Sequence, residues 1–231
     1  MKTLGIIGGT GPESTIEYYR LIIAAYRQEK QDGSYPPIII NSIDLKTMLD
    51  LIGADQLVEV AQYLLDEIKR LARAGADLGL LASNTPHIVF DDLRRHSPIP
   101  LISIVESACD AAKALGITTV GLIGTRFTMQ GRFYQDVFST QGITLVVPEF
   151  DEQEYIHDAY MNELVKGIVL PETRKRLLTI VEQLVKREHI EGVILGGTEL
   201  SLILGDVTAC GIPFLDTAKI HVHCAVAQLW S

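Results

Sequence analysis

Two short turns carry the side chains best placed to do chemistry in this chain: Ala82-Ser83-Asn84-Thr85-Pro86-His87 and Gly196-Gly197-Thr198-Glu199-Leu200. Each closes an apolar run, residues 77–81 and 192–195, and each opens an amphipathic stretch. Strand ends of this kind are where open α/β sheets bind ligands. Asn84, Thr85 and Thr198 offer an amide and two hydroxyls, next to the free N–H donors of a helix start. Thr85 and Thr198 also suit helix capping, which is compatible with holding a ligand. Glu199 and His87 are the titratable groups nearest the two turns, so a carboxylate and an imidazole are the candidate bases.

Three further groups point to a carboxylate ligand. Gly8-Gly9-Thr10-Gly11-Pro12-Glu13 follows the first apolar run and opens a helix, so its backbone N–H groups and the Thr10 hydroxyl can approach an anion. A tight turn without a ligand remains the alternative. The loop has neither the Gly-Lys-Ser/Thr of a phosphate loop nor the Gly-x-Gly-x-x-Gly spacing of a dinucleotide site. Thr125, Arg126 and Thr128 lie at a second such loop and could clamp a carboxylate, with Arg126 as a solvated surface cation the alternative. Lys166 precedes Gly167 at a helix end, where the dipole alone favours a cation and a ligand carboxylate would also pair with it. His221, His223 and Cys224 do not make a metal site, since residues two apart on a helix point to different faces. Cys109, Cys210 and Cys224 are expected to be core residues.

The elements that must position these groups are short apolar runs alternating with amphipathic stretches. Strands are expected at residues 3–7, 37–43, 77–81, 101–105, 118–123, 144–147, 192–195 and 213–215. Helices are expected at 13–27, 54–74, 84–96, 106–115, 129–140, 151–166, 171–188 and 217–230. In 54–74 the residues Leu57, Val60, Ala61, Leu64, Leu65, Ile68 and Leu71 make one apolar stripe at helical spacing. Such alternation implies an α/β fold with parallel sheets. Leu4-Gly5-Ile6-Ile7-Gly8 recurs as Val120-Gly121-Leu122-Ile123-Gly124, and Ile99-Pro100-Leu101-Ile102 as Ile212-Pro213-Phe214-Leu215, at a nearly constant offset. A duplicated half follows: two pseudo-twofold-related parallel-sheet domains, residues 1–104 plus 216–231 and residues 105–215, with an inter-domain cleft where positions 83 and 197 would face each other.

Composition narrows the function classes. The chain has 231 residues, 47% of them hydrophobic, and a formal charge of −9. An acidic chain without a basic cluster argues against nucleic acid and for a small-molecule ligand. Three scattered cysteines suit a reducing, cytoplasmic setting. No apolar run approaches the ~18 residues of a membrane span, and the first residues lead into a strand and glycine loop unlike a signal peptide.

Taken together, these motifs resemble the aspartate/glutamate racemase family of cofactor-independent amino-acid racemases, over nearly the whole chain. Gly8 through Thr15 is similar to its first loop, Asn84-Thr85-Pro86-His87 to its Cys-Asn-Thr-x-His motif, Gly121 through Gln130 to its second loop, Gly196-Gly197-Thr198-Glu199 to its Gly-Cys-Thr-Glu motif, and Asp216-Thr217-Ala218-Lys219-Ile220-His221 to its C-terminal stretch. The resemblance implies an isomerase of amino-acid metabolism with no cofactor and no metal, often a homodimer. It puts Lys166 where some members bind substrate, and Lys46 loosely where some use an arginine. It also implies catalytic cysteines at 83 and 197, one removing the α-proton and one returning a proton to the opposite face. This chain has Ser83 and Gly197. A serine hydroxyl without a neighbouring base is not ionised near neutral pH, and glycine has no side chain. Two-thiol racemisation is therefore not expected; the alternatives are a catalytically silent carboxylate or amino-acid binder, and a one-base lyase or decarboxylase. Restoring both cysteines would be expected to raise activity on an acidic amino acid.

Overall fold

The computed structural model describes residues 1–205 and 211–230. The chain divides into two units, Met1–Ile104 with His221–Ser231, and Val105–Ile220. The chain passes between units inside two helices, at Ile104/Val105 and at Ile220/His221.

In the first unit a parallel sheet has the order β2-β1-β3-β4, from β1 (Leu4–Gly8), β2 (Ile38–Ser42), β3 (Leu78–Leu81) and β4 (Leu101–Ile102). In the second, β5 (Thr119–Gly124), β6 (Thr144–Val146), β7 (Gly192–Gly196) and β8 (Phe214–Asp216) take the order β6-β5-β7-β8. Adding four to each label of the first order gives the second, so the repeat is one of topology. Central strands β1, β3 and β7 are buried throughout, while edge strands β2 and β6 are partly exposed. That is why the central strands read as unbroken apolar runs rather than alternating ones.

The repeat extends to packing. A Cβ on Gly5 would meet Ala76 and Leu71 at 2.9 and 3.1 Å, and one on Gly121 would meet Ile190 and Leu184 at 2.7 and 2.9 Å. In each unit the glycine of the first strand lets the helix before the third strand approach. These helices are α3 (Leu57–Arg73) and α9 (Pro171–Glu188). An acid after that helix then ties down the first strand: Thr3 N donates to Asp77 (2.7 Å), and Thr118 N to Glu191 (2.6 Å). Glu191 is held below the usual carboxylate range by the backbone and side-chain hydrogen bonds of Thr118 and the backbone N–H of Thr119.

The remaining helices are α1 (Pro12–Glu29), α2 (Leu45–Gly53), α4 (Phe90–His96), α5 (Ile104–Ala114), α6 (Arg126–Gln130), α7 (Arg132–Thr140), α8 (Phe150–Asn162), α10 (Leu200–Leu204) and α11 (Thr217–Ala227). Several differ from expectation. The helix expected over 54–74 starts at Leu57, because Asp55 takes a positive φ of 56° and separates it from α2. Strand β4 is shorter than 101–105 because Ile104 already begins α5. The stretch 129–140 is two helices divided at Gly131, where a Cβ would lie 2.6 Å from the Phe127 carbonyl. No described helix is long and apolar enough to cross a membrane.

Candidate functional site

The glycine loop after β1 is shaped by backbone crowding. Gly9 has φ 82°, and a Cβ there would lie 2.3 Å from the Ile43 carbonyl, so only glycine fits. Thr15 Oγ1 accepts from Gly9 N (2.8 Å) and donates to Gly11 O (3.2 Å), which folds the loop onto the first turn of α1. That helix starts at Gly11-Pro12 with no side-chain cap. Thr10 is 7% exposed and its hydroxyl has no hydrogen-bond partner among the described residues. An uncapped helix start beside a buried hydroxyl is an arrangement that favours negative charge. Lys46, on α2, is exposed and ion-paired with Asp50.

After β3, Ser83, Asn84, Thr85 and His87 are all buried. The segment is a 3₁₀ turn over Thr85–Val89 followed by α4, rather than the single helix 84–96. His87 explains the tightening. Its Nδ1 bonds the Ser83 carbonyl at 3.1 Å, the acceptor an α-helical His87 N–H would use, and that N–H turns instead to Asn84 O at 2.9 Å. His87 Nε2 accepts from Ile104 N at 3.2 Å. Both ring nitrogens are thus committed to backbone, and burial, with His221 nearby, pushes the imidazole down to about 3. His87 ties the Ser83 turn to the start of α5 and has no nitrogen left for a ligand. His221 behaves alike: Tyr18 OH donates to Nδ1 (2.9 Å), Nε2 donates to Ile102 O (3.0 Å), and burial pushes it down to about 4. His223 is exposed and Cys224 half-buried, and no trio of potential metal ligands gathers among the described residues. Cys109 is buried; Cys210 lies outside the described residues.

In the second unit Thr125 caps α6, its Oγ1 accepting from Thr128 N at 3.2 Å and lying 3.1 Å from Thr128 Oγ1. Arg126 faces Glu154 through an NH2–Oε2 hydrogen bond of 3.0 Å and an Nε–Oε1 ion contact of 2.9 Å. Its charge is therefore already countered. Its backbone N–H donates to His157 Nδ1 at 3.2 Å. Lys166 is exposed, at the end of the 3₁₀ turn Leu164–Lys166, which Gly167 closes in a left-handed conformation.

The turn after β7 holds the unexpected feature. A Cβ placed on Gly197 would lie 2.4 Å from Tyr160 Cε2 and 3.0 Å from its Cζ. The Tyr160 ring, from the last turn of α8, occupies the space in which a side chain at 197 would begin. Its hydroxyl donates to Glu199 Oε2, and Thr198 Oγ1 donates to the same oxygen at 3.0 Å. Glu199 is 1% exposed, and its other oxygen, Oε1, has no hydrogen-bond partner among the described residues. Burial, then the charge of Glu199, holds the Tyr160 phenol well above its ordinary pKa, so it stays protonated. Sequence reasoning missed Tyr160. In the sequence it is one more member of a helical stripe with Gln153, Ile156 and Ala159, and nothing there links it to a distant glycine.

So Ser83, Asn84, Thr85 and His87 share one strand end, with Thr10 on the neighbouring loop of the same sheet; Gly197, Thr198, Glu199 and Tyr160 share the other unit's equivalent end. Comparison with known proteins agrees with this duplicated architecture. The Asp/Glu/Hydantoin racemase family matches residues 7–225. The broad specificity amino-acid racemase RacX of Bacillus subtilis (strain 168) is 25% identical, over 97% of this chain and 96% of its own. The crystal structure of an aspartate racemase homologue from Pyrococcus horikoshii OT3 superposes with a TM-score of 0.84 at 35% identity, covering 100% of both chains. Aspartate racemase of Picrophilus torridus shares the fold, with a TM-score of 0.78 at 21% identity over 100% of this chain and 95% of its own. The chain belongs to the Asp/Glu/Hydantoin racemase family.

Proposed function

We propose that the protein binds a small amino acid or related carboxylate at these strand ends and does not racemise it by a two-thiol route. One observation carries this: the Tyr160 ring fills the place where a side chain at 197 would start. Cofactor-free racemisation needs an acid–base group on each face of the α-carbon. At the positions that the resemblance gives to thiols, Ser83 offers a hydroxyl and Gly197 nothing, while His87 is closed off by backbone. Ligand binding is supported by the unused Thr10 hydroxyl beside the uncapped α1 and by the buried Thr198–Glu199 turn. The amino-acid class is supported by family membership and by the likeness to the Bacillus subtilis broad specificity amino-acid racemase. Cofactor independence, a cytoplasmic setting and a homodimer belong to the same proposal.

Calorimetric titration with L- and D-aspartate and L- and D-glutamate should give saturable binding of at least one. Circular dichroism of the same solutions should stay constant for hours. Loss of ellipticity from a pure enantiomer would overturn the non-racemising part, and absence of binding across an extended amino-acid and dicarboxylate panel would overturn the binding part.

A second reading, a decarboxylating lyase that needs a single proton donor, is favoured by the protonated Tyr160 phenol hydrogen-bonded to Glu199. Carbon dioxide release from a malonate-type substrate is its signature, and its loss in Tyr160→Phe would assign the donor.

A further inference from the structure

The two oxygens of Glu199 are used unequally. Tyr160 and Thr198 both donate to Oε2, and Oε1 is buried without a partner among the described residues. No cation among the described residues pairs with this carboxyl. A buried acceptor left unsatisfied costs about 1–3 kcal/mol, and an uncompensated buried charge costs more. A group that brings an N–H donor and positive charge to Oε1 satisfies both demands at once. A carboxylate would instead meet like charge here.

The contrast with Arg126 sharpens the point. That cation already has Glu154 as a counter-charge, whereas Glu199 has hydroxyl partners and no counter-charge. Burial also separates it from the solvated acids of the surface. It is 1% exposed, immediately before α10, at the strand end where α/β sheets hold ligands.

We infer that Glu199 Oε1 is the receptor for the ligand's amine, so that this turn selects amino acids over carboxylic acids of the same skeleton without nitrogen. The inference rests on the binding reading above and adds the residue that sets specificity. Glu199 here recognises and orients; it need not move a proton.

The test uses matched probes on the full chain at pH 7: L- and D-aspartate against succinate, and L-glutamate against glutarate, by calorimetry. The wild-type protein is expected to bind an amino acid roughly 10- to 100-fold more tightly than its nitrogen-free partner, the range of a charge-assisted hydrogen bond. Glu199→Gln, which keeps the shape and removes the charge, is expected to shrink that ratio to about threefold or less while retaining diacid binding. Equal wild-type affinity for both members of each pair overturns the inference and leaves the binding proposal standing. An unchanged ratio in Glu199→Gln also overturns it. If no probe binds, both fall. Should Glu199→Gln fail to fold, the wild-type pairs decide alone.

Discussion

Between pH 7 and pH 5 the unit Met1–Ile104 with His221–Ser231 is expected to lose about 4 kcal/mol of stability, about half from each of two histidines. His87 and His221 are buried and neutral, with pKa values pushed down to about 3 and about 4 from an ordinary 6.5. In the unfolded chain both take a proton as pH falls through about 6.5. In the folded chain neither does until pH approaches 4. The unfolded state therefore binds more protons, and stability falls with falling pH over that window. Near pH 5 the slope should approach twice that of a single titrating group. The hydrogen bonds make the neutral state firm: protonating His87 would put a donor against Ile104 N–H, and protonating His221 would displace the Tyr18 hydroxyl donor. Urea unfolding gives a direct readout through Trp230, the chain's one tryptophan, which lies against Tyr26 in this unit. A free energy that stays within about 1 kcal/mol between pH 7 and pH 5 would contradict the assignment.

Gly197→Cys is expected to destabilise the protein and to leave it inert, even when combined with Ser83→Cys. On this geometry the two cysteines alone are expected to give no gain in activity, in contrast to the expectation from sequence. The new Cβ would lie 2.4 Å from an aromatic ring carbon, and the ring is held by the Glu199 hydrogen bond and by the core cluster of Ile156, Leu164, Leu200 and Leu204. Overpacking of this kind costs about 1–3 kcal/mol, which lowers Tm by several degrees in a protein of this size. Shortening Tyr160 should relieve the clash. Ser83→Cys with Gly197→Cys and Tyr160→Ala is the combination expected to recover stability relative to the double variant and to gain α-proton exchange on an acidic amino acid. A double variant as stable as wild type would show that Tyr160 moves aside freely.

The duplicated fold was open to sequence reasoning because its central strands, such as Leu4–Gly8 and Gly192–Gly196, are buried as unbroken apolar runs and its glycines recur at equivalent strand positions. The short helices were not. Helix α2 is nine residues long and reads as loop until Asp44 is seen capping it, and α10 is a single short turn after Glu199. The split of 84–96 depends on a side chain taking a carbonyl from the backbone, which no propensity records. At the site, Ser83 and Gly197 were visible at the positions that the resemblance gives to thiols. What stands in their place was not, because Tyr160 reaches Gly197 only through tertiary packing, and the commitment of both His87 nitrogens depends on Ile104.

The central claim is that this family member holds its ligand without a working pair of proton-transfer groups across the α-carbon. Proton NMR of L-aspartate and L-glutamate with the wild-type protein in D₂O tests it most directly. The α-proton signal is expected to persist at the rate of a protein-free control. Its disappearance through deuterium uptake, with or without inversion, would contradict the account.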